Sequence, residues 1–155
     1  MQTTDLDAAA AVHQAAFTRQ RLSREWLACG LAGWPKSMTF VLTEADQVLG
    51  YCLWTQKSGF RPEAVLELEQ IAVHPDCHSR GLGRALIRES LPQVRGLLEA
   101  QGAILKHVLI TTRADNQAQR LYASELGAEV EAVVRNLYSA DEVIMVSRHP
   151  PGAGL

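Results

Sequence analysis

The segment Ile71-Ala72-Val73-His74-Pro75-Asp76-Cys77-His78-Ser79-Arg80-Gly81-Leu82-Gly83-Arg84-Ala85-Leu86 constrains this chain more than any other. An apolar run suited to a strand stops at Pro75, and two glycines then open an apolar-periodic stretch suited to a helix. A helix start leaves several backbone N–H groups without partners and carries partial positive charge. Glycine lets an anion approach those N–H groups closely, and Arg80 and Arg84 flank them with fixed charge. The segment therefore reads as an anion cradle, of the kind a pyrophosphate fills.

Two familiar phosphate motifs fail on this segment. A P-loop requires Lys-Ser/Thr after its second glycine, and Gly83 is followed by Arg84-Ala85. A dinucleotide fingerprint requires a third glycine where Leu86 stands. Taken with the strand end Ile71-Ala72-Val73-His74-Pro75 and the pair Gly81-Leu82-Gly83, the segment instead resembles the acyl-CoA loop of the GNAT superfamily of N-acyltransferases. That loop reads Gln/Arg-x-x-Gly-x-Gly/Ala after a strand ending apolar-x-Val-x-Pro. One position departs: His78 stands where Gln or Arg is usual, so a hydrogen-bond donor is kept but its charge depends on pH.

Composition is compatible with this. At 155 residues one domain is the simplest organisation, read as residues 1–149 followed by a loose tail at 150–155, where Pro150-Pro151-Gly152 opposes regular structure. Net charge is −2, so no basic surface advertises nucleic acid, and an acidic balance suits a cationic substrate. Cys29, Cys52 and Cys77 show no paired spacing, which fits a reducing cytoplasm. The N-terminal residues have neither the basic nor the apolar region of a signal peptide, and no apolar run reaches membrane-span length.

Patterning along the chain predicts an α/β protein with a mixed sheet covered by helices. Thr4 is expected to cap a helix carrying Leu6, Ala9, Ala10, His13, Ala16 and Phe17. Ser23 is expected to cap a short second helix ended by Gly30. Met38–Thr43 and Val48–Thr55 read as a hairpin, and Val65–Val73 as a third strand with Leu66 and Leu68 on one face and Glu67 and Glu69 on the other. The helix from Gly81 buries Leu82, Leu86 and Ile87, and Pro92 should kink or split it near Glu89. Ala103–Thr112 is a strand, Asn116–Glu125 a helix closed by Gly127, and Ala128–Leu137 with Val143–Arg148 a final strand pair. The resemblance covers Asp5 to His149. It implies a mostly antiparallel sheet splayed at the cofactor strand, with helices on both faces. Members usually open with a strand, for which only Met1–Thr3 is available here.

The resemblance also implies a chemistry: transfer of an acetyl group from acetyl-CoA to a primary amine by direct attack in a ternary complex, without a metal. A lysine-like amine of pKa ~10.4 is neutral about once in 2,500 at pH 7, a deficit of roughly 4.6 kcal/mol, whereas an α-amine of pKa ~7.8 loses only about 1 kcal/mol. A general base helps the first far more than the second. Glu69 is the best candidate, in Glu69-Gln70-Ile71-Ala72-Val73. Glu67 competes from the same face, and two close carboxylates would favour a proton on one of them. Backbone groups of Ile71, Ala72 and Val73 are implied to pair with the pantetheine arm, with an N–H there polarising the thioester carbonyl. His78, Ser79, Arg80, Gly81, Leu82, Gly83, Arg84 and Ala85 are implied to hold the pyrophosphate.

The family's second signature is Asn-x-x-Ala-x-x-Leu-Tyr-x-x-x-Gly, whose Asn contacts CoA and whose Tyr protonates the departing thiolate. Here Asn116-Gln117-Ala118-Gln119-Arg120-Leu121-Tyr122 runs to Gly127 with Tyr122 one residue early, about 100° around a helix. Tyr122 as acid and Tyr122 as core residue both stay open, as does Asp115 in the asparagine slot. Val133–Tyr138 with Asp141–Met145 is similar to the closing hairpin of the branch that includes protein N-terminal acetyltransferases, where Tyr138 lines the acceptor channel or packs in the hairpin.

Trp26, Trp34 and Phe17 roof an acceptor pocket or fill the core. His74, Cys77 and His78 are too close together, without a distant fourth ligand, to make a zinc site. The acceptor stays open between a protein N-terminus and a small-molecule amine. Dimers are common in such families, and the sequence shows no seam. The alternative from another class is a CoA-binding sensor or structural subunit without turnover, which the displaced Tyr122 and His78 would suit.

Overall fold

The computed structural model describes residues 1–148 and 150–152. A 3-10 turn, Thr3–Asp5, leads into helices α1 (Leu6–Ala16) and α2 (Ser23–Ala32) and strands β1 (Ser37–Glu44), β2 (Gln47–Gln56) and β3 (Glu63–Val73). A second 3-10 turn, Pro75–Cys77, precedes helix α3 (Leu82–Ala100), strand β4 (Ile104–Arg113), helix α4 (Gln119–Leu126) and strands β5 (Glu129–Val134) and β6 (Glu142–Ser147). The strands form a six-stranded mixed sheet in the order β1-β2-β3-β4-β6-β5. β1/β2, β4/β6 and β5/β6 are antiparallel, and β3/β4 is parallel. The chain opens on the turn and α1, as the short N-terminal segment suggests.

Packing falls into two compact units, Met1–Thr55 with Gln70–Leu91 and Gln56–Glu69 with Pro92–Leu155. In the first, α1 and α2 supply Leu6, Ala9, Ala10, Val12 and Leu27 to a core shared with Tyr51 and Ala72. Gly50 makes this possible: a Cβ there would lie 2.8 Å from the Ala72 carbonyl and 3.1 Å from Leu86. In the second unit β4 buries Leu105, Val108 and Ile110, α4 buries Tyr122 and Leu126, and β6 buries Val143, Met145 and Val146. The β3/β4 register runs from Glu63↔Ile104 to Glu67↔Leu109 and no further among the described residues.

Several local expectations need correction. Thr4 does not cap α1; it lies inside the 3-10 turn, where the Gln2 N–H donates to the Asp5 carboxylate at 2.6 Å. Ser23 is the first residue of α2 rather than its cap, because its hydroxyl is taken by His13, and the helix runs past Gly30 to Ala32. Pro92 does not split α3, which continues to Ala100. Pro92 is exposed, so the one lost helical bond falls on the solvent side while Leu86, Ile87, Leu91, Val94 and Leu98 keep a buried stripe. The helix expected from Asn116 starts at Gln119, because the Asn116 side chain accepts the Ala118 N–H at 2.9 Å and forms a turn instead. β5 stops at Val134; the loop beyond it is closed by Asp141, which accepts the Asn136 N–H at 3.0 Å.

The β3 alternation is as expected, with Ala64, Leu66, Leu68 and Ala72 buried and Glu67 and Glu69 half-buried on the other face. Of the tail, Pro150 is buried, and Arg95 donates to the carbonyls of Pro150 at 2.7 Å and Pro151 at 2.9 Å. Residue 149 and residues 153–155 lie outside the described residues.

Candidate active site

The cradle segment lies in the first unit. β3 ends at Val73, and the His74 N–H ties the strand end to β2 through the Leu49 carbonyl at 2.8 Å. After the 3-10 turn the backbone is left-handed at Ser79 (φ +63) and again at Gly81 (φ +74). The first helical bond of α3 runs from the Ala85 N–H to the Gly81 carbonyl at 3.0 Å. The N–H groups of Leu82 and Gly83 precede that first helical bond. Nothing lies within 4 Å of where a Gly81 Cβ would sit, so the approach is open. An open helix start suits an anion such as a pyrophosphate.

Two side chains of this loop are already engaged. The Nε2 of His78 lies 3.0 Å from the Val73 carbonyl. A carbonyl only accepts, so Nε2 carries the hydrogen and fastens the loop to the strand end. Arg80 Nη2 donates to both carboxylate oxygens of Glu44 at 2.8 and 3.0 Å, which holds the guanidinium above its usual range and leaves Nη1 and Nε to other partners. Glu44 was not legible in the sequence, since it closes β1, 36 residues earlier.

Behind the strand end, Gln70 joins the helices to the sheet. Its Oε1 accepts from Trp26 Nε1 at 2.9 Å and from the Tyr51 hydroxyl at 2.8 Å, and its Nε2 donates to Gln20 at 3.1 Å. Gln20 Oε1 also faces His13 Nε2 at 2.9 Å, so that nitrogen donates and His13 Nδ1, at 2.8 Å, accepts the Ser23 hydroxyl proton. His13 is fully buried, and burial pushes its pKa down. Trp26 and Trp34 are exposed rather than core residues, and Phe17 is half-buried.

The carboxylates lie in the second unit, on β3. Glu67 is bound on both oxygens, with Lys57 Nζ 2.8 Å from Oε2 and the Thr111 hydroxyl donating to Oε1 at 3.3 Å. Glu69 is half-buried two residues further along the same face. Asn116 spends its amide locally, donating to the Thr112 hydroxyl at 2.8 Å while its oxygen holds Ala118. Asp115, the other candidate for the asparagine slot, pairs with Arg113 at 2.9 Å, which holds its carboxyl below the usual range. Tyr122 is buried on α4, and burial pushes its phenol up to about 12. Glu142 is buried opposite Arg113 in the β4/β6 register, and burial raises its carboxyl against the opposing charge of Arg113. Tyr138 is exposed, with three quarters of its surface open (75%). No cluster of His, Cys, Asp or Glu that could hold a metal ion is present among the described residues. No described helix is long and apolar enough to cross a membrane.

A strand–loop–helix with an open helix start, in a six-stranded mixed sheet of this order, is the arrangement of an acyl-CoA-dependent acetyltransferase. The model of the acetyltransferase (GNAT) family matches residues 6–128, and the chain belongs to that family. Among solved structures it is similar to the ribosomal-protein-S18-alanine N-acetyltransferase of Escherichia coli, at 25% identity and TM-score 0.73, covering 100% of this chain and 95% of that one. It has the fold of Ard1 from Thermoplasma volcanium, at 23% identity and TM-score 0.73 over 94% and 92% of the two chains. It also has the fold of a chain of the NatC complex bound to Gag peptide and CoA, at 12% identity and TM-score 0.74 over 95% and 92%. Among curated proteins the sequence finds no significant match.

Proposed function

We propose that this acetyltransferase moves an acetyl group from acetyl-CoA to a primary amine by direct attack, with a protein N-terminus as the first acceptor class to test and a small-molecule amine as the second. The observation that carries the cofactor half is the open start of α3, where the N–H groups of Leu82 and Gly83 precede the first helical bond beside the left-handed Gly81. The residues from His78 to Ala85 hold the pyrophosphate, with Arg80 and Arg84 adding charge. The backbone of Ile71, Ala72 and Val73 pairs with the pantetheine arm, and Asn116 contributes from the turn before α4. Bound acetyl-CoA supplies the activated acyl thioester.

Glu69 takes the proton that the amine must lose, directly or through water. Tyr122 gives a proton to the departing thiolate, and burial keeps its phenol protonated across the working range. An α-amine needs the base less than a lysine does, by the difference between about 1 and roughly 4.6 kcal/mol. The E. coli neighbour is named for an alanine N-terminus of a ribosomal protein, which supports trying that acceptor first.

Isothermal titration with acetyl-CoA and ATP, then thiol release across a panel of N-terminal peptides and small amines, tests the reading. Acetyl-CoA binding without ATP competition, and thiol release on one acceptor class, is the expected result. Binding with no release on any amine would replace it with a CoA sensor. No acetyl-CoA binding would remove the cofactor assignment.

A further inference from the structure

We propose that Gln70 is a positioning residue for the acceptor: its amide oxygen holds the exposed indole of Trp26 beside the reacting end of the cofactor strand, and Trp26 walls the acceptor site. The inference rests on the acetyl-transfer reading and deepens it by naming the side chain that sets the acceptor's place.

The donors around this glutamine decide how its amide stands. An indole N–H only donates, so the Gln70 atom 2.9 Å from Trp26 Nε1 is the oxygen. That oxygen also accepts the Tyr51 hydroxyl at 2.8 Å, which occupies its second lone pair. The nitrogen of the same amide is thereby turned to Gln20, whose Oε1 it meets at 3.1 Å. Gln20 Oε1 takes a second donor, His13 Nε2, at 2.9 Å. One side chain of β3 thus ties together α2, β2 and the connection between α1 and α2, all within the first unit.

The place of Gln70 along the strand gives this tie its consequence. In the proposed complex the pyrophosphate lies at the residues from His78 to Ala85, and the pantetheine arm runs back past Val73, Ala72 and Ile71. The thioester then lies at the Ile71 end. A strand advances about 3.3 Å per residue, so Gln70 stands one step from the reacting carbonyl. Its side chain reaches α2 and holds the Trp26 ring, which is 42% exposed. An exposed aromatic ring tethered there offers an apolar wall to the part of the acceptor that follows its amine.

The two bonds on the Gln70 oxygen do different work. Tyr51 is fully buried, so its hydroxyl needs this acceptor for the stability of the fold. The Trp26 bond lies at the surface, where water can replace it, so its effect falls on where the ring stands.

The test uses the whole chain with Gln70→Leu, Trp26→Phe, Tyr51→Phe and the Gln70→Leu/Trp26→Phe double variant. Thiol release is followed with acetyl-CoA and a peptide beginning with alanine. Gln70→Leu is expected to raise the peptide KM about fivefold, the net worth of one hydrogen bond, with kcat and the acetyl-CoA KM within about twofold of wild type. In the Trp26→Phe background Gln70→Leu should add nothing, because the contact is already gone. Tyr51→Phe should lower stability and leave the peptide KM within about twofold of wild type. Nitrogen-15 relaxation of the Trp26 indole, assigned by its absence in Trp26→Phe, gives a readout independent of turnover. The ring should loosen in Gln70→Leu and stay fixed in Tyr51→Phe.

A peptide KM that stays put in Gln70→Leu overturns the proposal. So does one that rises equally once Trp26 is replaced, or that rises as far in Tyr51→Phe. If the wild type releases no thiol, the transfer reading falls separately and the indole signal decides: a ring loosened by Gln70→Leu upholds the tether, and an unchanged ring overturns it.

Discussion

Arg80 on the cradle loop and Glu44 at the end of β1 form an ion pair through a single guanidinium nitrogen, Nη2, which donates to both carboxylate oxygens. The contact fixes where the arginine stands while Nε and Nη1 keep their protons. Both side chains are partly exposed, 44% and 59%, so the pair orients the loop more than it stabilises the fold.

Reversing the charge at Arg80 should therefore weaken acetyl-CoA strongly. Arg80→Glu removes the cation and sets two carboxylates against each other at the mouth of the cradle. Titration calorimetry should show at least a tenfold loss of affinity for Arg80→Glu and less than about twofold for Glu69→Gln, whose proposed work begins after binding. Equal affinities would remove the cradle from the cofactor site.

Gly50 and Gly81 should respond differently to alanine. At Gly81 the added methyl meets nothing within 4 Å, and only the left-handed backbone resists it. About 1 kcal/mol of stability should be lost. At Gly50 the methyl lies 2.8 Å from the Ala72 carbonyl, backbone against backbone, and roughly 2–3 kcal/mol should be lost. Urea denaturation of the two variants measures both, and the reverse order would contradict the close approach of β2 to the end of β3.

His13 should make the fold acid-sensitive. Its folded pKa is depressed by burial, so on acidification the unfolded chain takes up the proton first. The neutral ring's contribution is present above the ordinary histidine range near pH 6.5 and is lost as pH falls below it. Thermal unfolding between pH 5 and 8 should show the decline, and His13→Gln should flatten it.

Tyr122 should act in the opposite direction, at high pH. Its phenol is raised from 10.0 to about 12, so the unfolded chain loses that proton first. Stability is unaffected below about pH 10 and falls between pH 10 and 12, by roughly 2–3 kcal/mol for this group. Tyr51, raised further by burial, deepens the same decline. Tyr122→Phe should reduce the alkaline slope, and in the proposed transfer it should also lower kcat at least tenfold without a matching loss of acetyl-CoA affinity.

Much of the fold was legible because it is locally encoded. Alternation of Leu66 and Leu68 with Glu67 and Glu69 placed the faces of β3, and Pro75 with Gly81 located the strand end and the helix start. The errors lie where a side chain had two possible partners. Ser23 and Asn116 have the chemistry of helix caps, but one bonds a histidine ten residues earlier and the other builds a turn two residues long. Pro92 carries a real local penalty, which a long buried stripe outweighs.

The sequence by itself determined the family, the glycine-bearing turn into α3 and the shared face of the strand carboxylates, because turn chemistry, period-two alternation and glycine spacing act over a few residues. Only the tertiary structure decided how those groups are committed. It paired Arg80 with Glu44, engaged Glu67 with Lys57 and Thr111, and gathered Trp26, Tyr51 and Gln20 on Gln70. These partners come from different elements, and no local pattern reports a contact made when separate strands and helices pack.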